Sequence, residues 1–184
     1  MDQKTERSES KLSANKRTGS ADRRPQRKAG ERPLVDLENY IPAYLTFLAN
    51  KWARSASHLY LKRFGIGIET WRILVLLAIE GPITANRVCQ VIGMDKASVS
   101  RNFKNMEERG LLLIEGDPDD ARQRFAQLTQ KGFALHDKIL PLVLEREQRL
   151  LSALSIDERK VLCDLLRRLH ANLPALDDPK DYEF

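Results

Sequence analysis

Apolar residues recur at helical spacing from residue 34 onward and at strand spacing in one place only. Residues 34–64 carry Ile41, Leu45, Leu48, Trp52 and Leu59 on one stripe. Pro42 suits the first turn of the main part of that helix, and Gly65 ends it. Residues 69–79 are apolar nearly all round, the pattern of a helix buried in mid-domain, and Gly81-Pro82 stop them. Thr84 and Asp95 each cap a short amphipathic run, one ending at Gly93 and the next at Gly110. Ile83 and Met94 stand where each can staple onto the helix it precedes, at Val88 and Val99. Two short capped helices joined by a tight glycine-containing turn predict a helix-turn-helix.

After Gly110 the period shortens. Residues 111–115 and 122–128 flank Gly116-Asp117-Pro118-Asp119-Asp120, a run of turn formers, so a two-stranded hairpin or wing is expected. Thr129 caps a helix running through Leu154, with Pro141 inside it as a bend, and Ser155 with Glu158 forms a capping box for a last helix to about Ala171. The fold class is therefore mainly α with a small β-wing. Its winged helix-turn-helix lobe covers 68–129 within a domain spanning 34–172, between helical regions at 34–64 and 130–171, and 173–184 read as a polar, acidic tail.

Charge adds a further segment. Residues 1–32 hold ten of the 31 basic and five of the 26 acidic residues, so the whole net charge of +5 resides there. The same stretch has no aromatic residue, no valine and no isoleucine, so it is expected to be a disordered basic arm, either a nucleic-acid contact or a solubilising extension. A hydrophobic content of 42% with nine glycines supplies a packed core for the rest. Its longest apolar runs, 73–79 and 111–114, are far too short to span a bilayer, and no apolar stretch or cleavage site follows the basic amino terminus. No membrane association and no secretory signal are expected, which leaves the cytoplasm as the default location. Cys89 and Cys163 have no paired spacing, and His58, His136 and His170 are scattered, so neither a disulfide scaffold nor a metal site is expected.

The wing carries Asp120-x-Arg122 followed by Leu128-Thr129-x-x-Gly132 and preceded by Asp117-Pro118. Upstream of it stand Asp95-x-x-Ser98-Val99-Ser100-Arg101 and Glu108-x-Gly110-Leu111. In their order and spacing, these motifs resemble the MarR family of bacterial transcription regulators over about 35–172. The resemblance implies a homodimer whose first and last helices interleave, two winged lobes on pseudo-palindromic operator DNA, a ligand cavity between lobes and dimer region, and repression as the output. Many members carry arginine where this chain has Leu113 or Ile114 and Ala121, so this wing lacks basic residues the family uses on phosphate.

The candidate reader can be tested on its own physics. At 100° per residue Val99, Phe103 and Met106 share one face of the helix after Asp95, while Ala97, Ser98, Arg101 and Lys104 fall opposite. An arginine there can take guanine O6 and N7 with two hydrogen bonds, so Arg101 is the expected base reader, with Ser98, Ser100 and Lys104 as backbone contacts and Lys96 as a further DNA-binding residue. Arg122 is placed for a narrow minor groove, Asp120 either holds it by a charge-assisted bond or is a plain turn former, and Arg124 shares its face for a phosphate contact. A solvated face with no partner, or a winged helix used for protein contacts, is the competing reading.

No phosphate loop, metal-spaced His/Glu pair or nucleophile with a base is present, so no enzyme and no cofactor are expected. A thiol regulator using Cys89 or Cys163 is the redox alternative. It is disfavoured because Cys89 takes a position where the family usually packs alanine, and because 35–64 lack the reactive cysteine of the family's peroxide sensors. A small-molecule sensor has more to work with. Tyr44, Phe47, Lys51, Ser55, His58 and Lys62 form a second stripe on the first helix with Arg54 at its edge, and Trp71 and Arg72 open the next helix. Tyr44, Phe47, Trp52 and Trp71 would enclose an aromatic body, and Lys51, Arg54, His58 or Arg72 would pair a carboxylate, so an aromatic acid or its coenzyme A thioester is the expected effector. The same stripe could instead be a solvated basic flank beside interface aromatics.

Overall fold

A computed structural model describes residue 32, residues 34–116, residue 120 and residues 123–177. Residues 1–31 of the expected arm, and Asp117, Pro118, Ala121 and Arg122 of the wing, lie outside the described residues. The chain divides after Ala43, and the two parts are taken separately. In the first, Asp36 accepts from the amide of Glu38 and from Asn39 Nδ2, a side-chain turn that holds 36–39 out of helical geometry. The first helix, α1, accordingly spans Ile41–Phe64 rather than beginning at residue 34, and Pro42 is its second residue.

Beyond it follow α2 (Ile68–Glu80), β1 (Ile83–Thr84), α3 (Ala85–Ile92), α4 (Lys96–Glu108), β2 (Leu112–Gly116) and β3 (Arg124–Leu128). The chain then forms α5 (Gln130–Leu151), α6 (Ile156–Ala171) and a 3-10 turn at Leu173–Asp177, where the polar tail was expected to begin. The caps are the expected ones. Thr84 accepts from the amide of Arg87, Asp95 from that of Ser98 and Thr129 from that of Gly132, while Ser155 and Glu158 complete a reciprocal box. Gly65, Gly93 and Gly110 leave their helices at positive φ, as residues without a Cβ can do without strain. Pro141 lies inside α5 as expected, but the helix ends at Leu151 rather than Leu154, because Ser152 caps it and the next helix is already being entered at Ser155.

The wing is the expected two-stranded hairpin, β2 with β3, and its sheet carries a third strand, β1. β3 pairs antiparallel with β2, Leu112 opposite Leu128 and Gly116 opposite Arg124, and on its other side with Ile83 and Thr84. A two-residue strand is too short to leave a periodic signal, so only the pairing exposes it. Around this sheet the core is built from Ile73, Leu74 and Leu77 of α2, Val88 of α3, Val99, Phe103 and Met106 of α4, and Leu112 and Ala126 of the wing. From α1 the fully buried residues are Ala56 and Tyr60, while Trp52 and Leu59 are half-buried. Leu45 and Leu48, on the stripe expected to pack, are exposed within the chain, and Ile41 in the first part of the helix is exposed too.

Candidate functional site

The core-facing side of α4 is Val99, Phe103 and Met106, and this fixes what the opposite side presents. Lys96, Ala97, Ser100, Arg101 and Lys104 are exposed and Ser98 is half-buried. The Arg101 guanidinium donates to Ser98 Oγ at 2.8 Å, and Lys104 reaches Glu108 at 4.0 Å. Asp95 caps the same turn. Its carboxyl is held below the usual carboxylate range, first by the Ser98 hydroxyl, then by the Ser98 amide, with the Arg101 charge adding to the effect. A bare helix face of this kind, rich in donors, matches the width of the DNA major groove. Asn105 lies on the same side, exposed, and was not singled out from the sequence.

At the wing, Arg124 is exposed at the end of β3 that pairs with Gly116. Asp120 accepts from Gln123 Nε2 at 3.2 Å. Arg122, the partner expected for Asp120, lies outside the described residues.

A concavity of about 410 Å³ opens between α1 and α5 and is lined by Leu48, Lys51, Trp52 and Ser55 on one side and Arg146, Arg149 and Leu150 on the other. Arg146 is its centre. The guanidinium lies 4.8 Å over the Trp52 ring and donates from Nη2 to Ser55 Oγ at 3.2 Å, while Nε is buried without a hydrogen-bond partner among the described residues. Beneath it, burial raises the Tyr60 phenol above its ordinary pKa against the opposing pull of the Arg146 charge and hydrogen bond. Arg149 pairs with Glu145.

The cleft thus brings together Lys51, Trp52 and Ser55 from the expected wall and adds two arginines from α5. Tyr44, Phe47, Arg54, His58 and Arg72 are exposed and are not among its lining residues. Trp71 is 6% exposed, stacked on His136 at 5.4 Å and edge-on to Tyr60 at 6.1 Å. It belongs to the core, not to an open wall. Arg146 and Arg149 stand three residues apart, so one helical face presenting two cations toward an aromatic stripe was the signal available in the sequence.

A second, apolar cleft of about 650 Å³ lies between α1 and α6, lined by Leu45, Leu166, Leu169 and Leu173 with Cys163, Arg167 and His170. Cys163 is exposed there, whereas Cys89 is half-buried against the core from α3. Among the described residues no group of three His, Cys, Asp or Glu could hold a metal ion, and no helix is long and apolar enough to cross a membrane.

The profile of the MarR family matches residues 64–123, from the end of α1 into the wing. The chain is 33% identical over 107 residues to YkoM of Bacillus subtilis, an uncharacterized HTH-type transcriptional regulator, covering 58% of this chain and 70% of that protein. Its fold superimposes on a MarR/EmrR family transcriptional regulator from Acinetobacter sp. ADP1 with a TM-score of 0.72 and 30% identity, over 77% of this chain and 99% of the other. The chain belongs to the MarR family. It is a DNA-binding transcriptional regulator of that family, with α3 and α4 as its helix-turn-helix and β2 and β3 as its wing. The fold is shared at 22% identity and a TM-score of 0.59 by Bordetella bronchiseptica BpsR, over 69% of this chain and 98% of that one, whose DNA binding is regulated by 6-hydroxynicotinic acid.

Proposed function

We propose that this chain is a cytoplasmic, homodimeric repressor that binds pseudo-palindromic operator DNA through α4 and the wing and is released by a small aromatic anion held between α1 and α5. The observation that carries the effector reading is Arg146, whose guanidinium lies over Trp52 and beside Ser55 with one buried donor unpartnered. An aromatic ring in the slot would find Trp52, Leu48 and Leu150, and its carboxylate would meet Arg146, Arg149 or Lys51. Arg146 so joins Lys51 in the pairing role that the sequence assigned to Lys51, Arg54, His58 or Arg72. BpsR offers a parallel in the same fold, since 6-hydroxynicotinic acid is itself an aromatic carboxylic acid.

On DNA, Arg101 reads a base edge from the major groove, Lys96, Ala97, Ser98, Ser100 and Lys104 line the same contact, and Arg122 with Arg124 approaches from the wing. The homodimer is supported by an apolar face on α6, where Val161, Leu162, Leu165, Leu166 and Leu169 are all exposed in the single chain. Release needs only a preference for one lobe spacing, and ~100-fold tighter binding to the DNA-incompetent state supplies about 2.7 kcal/mol.

The test is anisotropy of a labelled duplex selected by the parent protein from a random pool, with aromatic carboxylic acids and their coenzyme A thioesters as competitors. Release by one of these in the parent, lost in Arg146→Ala with DNA affinity retained, is the expected result. Equal release from Arg146→Ala, or no release by any acid or thioester, removes the effector reading.

A further inference from the structure

The recognition helix is held onto α2 by a small polar network that the DNA-reading face does not use. Asn102 sits at the seam between the buried and open sides of α4, and each polar atom of its side chain is engaged. Its Nδ2 donates to Glu69 Oε2 and to the Ser98 carbonyl, both at 3.0 Å, and its Oδ1 accepts from Thr70 Oγ1 at 3.0 Å. Thr70 is the buried polar residue of the described chain, so its hydroxyl has little recourse to water if Asn102 is lost. Both amide hydrogens of Asn102 are committed, one of them to a carboxylate, which makes that bond charge-assisted.

A second tie lies at the far end of α4, where its C-cap residue Arg109 donates from Nη1 to the carbonyl of Gly65 at 3.0 Å. Residues 65–70, the junction of α1 with α2, therefore grip α4 at two points seven residues apart, roughly 10 Å along its axis. Val99, Phe103 and Met106 seat α4 on the core, and the two polar ties add directional restraint on its rotation and tilt. The Ser98 carbonyl that receives Asn102 belongs to the residue whose hydroxyl receives Arg101, so the network reaches the turn that carries the proposed base reader.

We propose that Asn102 is a positioning residue for DNA recognition: through Glu69 and Thr70 it sets the rotation of α4 on α2, and so the angle at which Arg101 is presented, without contacting a base itself. The inference rests on α4 being the DNA reader. It assigns to the Asn102–Glu69 pair a share of sequence discrimination rather than of overall affinity. Phosphate attraction, which random DNA shares, is left to the cations.

Polarity exchange across the pair provides the experiment. Asn102→Asp faces the Glu69 carboxylate with a second carboxylate, whereas adding Glu69→Gln restores a donor opposite an acceptor and returns the net charge to that of the parent. Affinity is measured for a duplex selected by the parent from a random pool and for a random duplex of equal length, with melting temperature and dimer mass checked for every variant. Asn102→Asp is expected to lower the ratio of selected to random affinity about tenfold, the equivalent of one net hydrogen bond, and the double variant to regain most of it. Glu69→Gln alone, whose amide oxygen still accepts from Asn102, should keep the parental ratio. Glu69→Ala, at an exposed position tolerant of truncation, should lower it even if Asn102→Asp fails to fold. Equal loss on both duplexes in Asn102→Asp, no regain in a folded double variant, or a parental ratio in Glu69→Ala overturns the inference alone. A parent that selects no sequence overturns the DNA-reading assignment and this inference with it.

Discussion

Gly132, in the first turn of α5, lies so close to Leu111 that a Cβ built on it would sit 2.1 Å from the Leu111 carbonyl oxygen. That approach is held from both sides. Thr129 donates its hydroxyl to the carbonyl of Gly110 at 2.7 Å and its amide to that of Leu111 at 3.1 Å, then accepts from the Gly132 amide to start the helix. The obstacle to a side chain at 132 is therefore backbone, which cannot swing away. Gly132→Ala gains helix propensity of about 1 kcal/mol, yet the clash outweighs it, and a net loss of about 2 kcal/mol or more is expected in urea unfolding. A variant as stable as the parent would show that the junction of wing and α5 yields easily.

The Leu128-Thr129-x-x-Gly132 motif was legible in the sequence as a pattern, but its cause is tertiary: the glycine answers to Leu111, 21 residues away. Caps were legible for the opposite reason. Thr84, Asp95, Thr129 and Ser155 each bond an amide three residues on, so the whole interaction lies within a short window. The open face of α4 followed from periodicity, since Val99, Phe103 and Met106 define their own antipode. The cleft followed only in part. Lys51, Trp52 and Ser55 share a face of α1, but what they meet is set by the packing of α5, and Arg146 enters from 91 residues beyond Ser55. Trp71 misleads for a related reason: its polar edge suits a site wall, but the helix that bears it runs through the core.

Arg101 is oriented before any DNA arrives, because Ser98 Oγ accepts its guanidinium hydrogen. Arg101→Ala is expected to cost about 1 to 3 kcal/mol on the selected duplex and to relax preference at one position of each half-site, since a bidentate base contact is lost. Ser98→Ala should cost less and leave the preferred base unchanged. Selection from a random pool repeated with each variant reads both effects, and a parental preference in Arg101→Ala would remove it as the base reader.

Asp95 connects the start of α4 to pH. Its folded pKa is depressed by the Ser98 hydroxyl and amide, so the cap stabilises above the unfolded carboxylate value and weakens as pH falls through the lower folded one. Melting temperature should fall on acidification below about pH 4. Asp95→Asn retains an acceptor that does not titrate, and should shrink that part of the acid limb while changing little at pH 7. Parallel acid limbs for parent and variant would show that this cap does not report on folding.

The apolar side of α6 yields a prediction about assembly. Leu169 is 46% exposed in the single chain and lines the cleft toward α1. If two copies bury these helices, Leu169→Glu places a carboxylate from each copy in an apolar contact, where an unpaired charge costs several kcal/mol. Dimer dissociation should rise by at least about 100-fold in sedimentation equilibrium, with the winged lobe still folded by circular dichroism. An unchanged dissociation constant would put the dimer contact elsewhere.

The last prediction joins the wing to the charge at the amino terminus. Leu113 and Ile114 are half-buried residues of β2, whose partner strand β3 contributes Arg124 as its exposed cation. Positions that could carry phosphate-binding charge are here apolar, and Ile114 packs against the core. Residues 1–32, by contrast, hold ten lysines and arginines against five acids. Each phosphate neutralised by such a cation releases condensed counterion and adds about 0.9 to the slope of log K against log salt. If the arm supplies the charge that the wing lacks, a chain beginning at residue 33 will bind the selected duplex more weakly at low salt and with a flatter slope. Its ratio of selected to random affinity should be unaltered, because phosphates carry no sequence. Titrations between 50 and 200 mM salt, about the range over which such contacts are titrated away, measure the slope directly. An unchanged slope would leave the arm as a solubilising extension, and a flatter slope with a lower ratio would mean that it reads bases as well as phosphates.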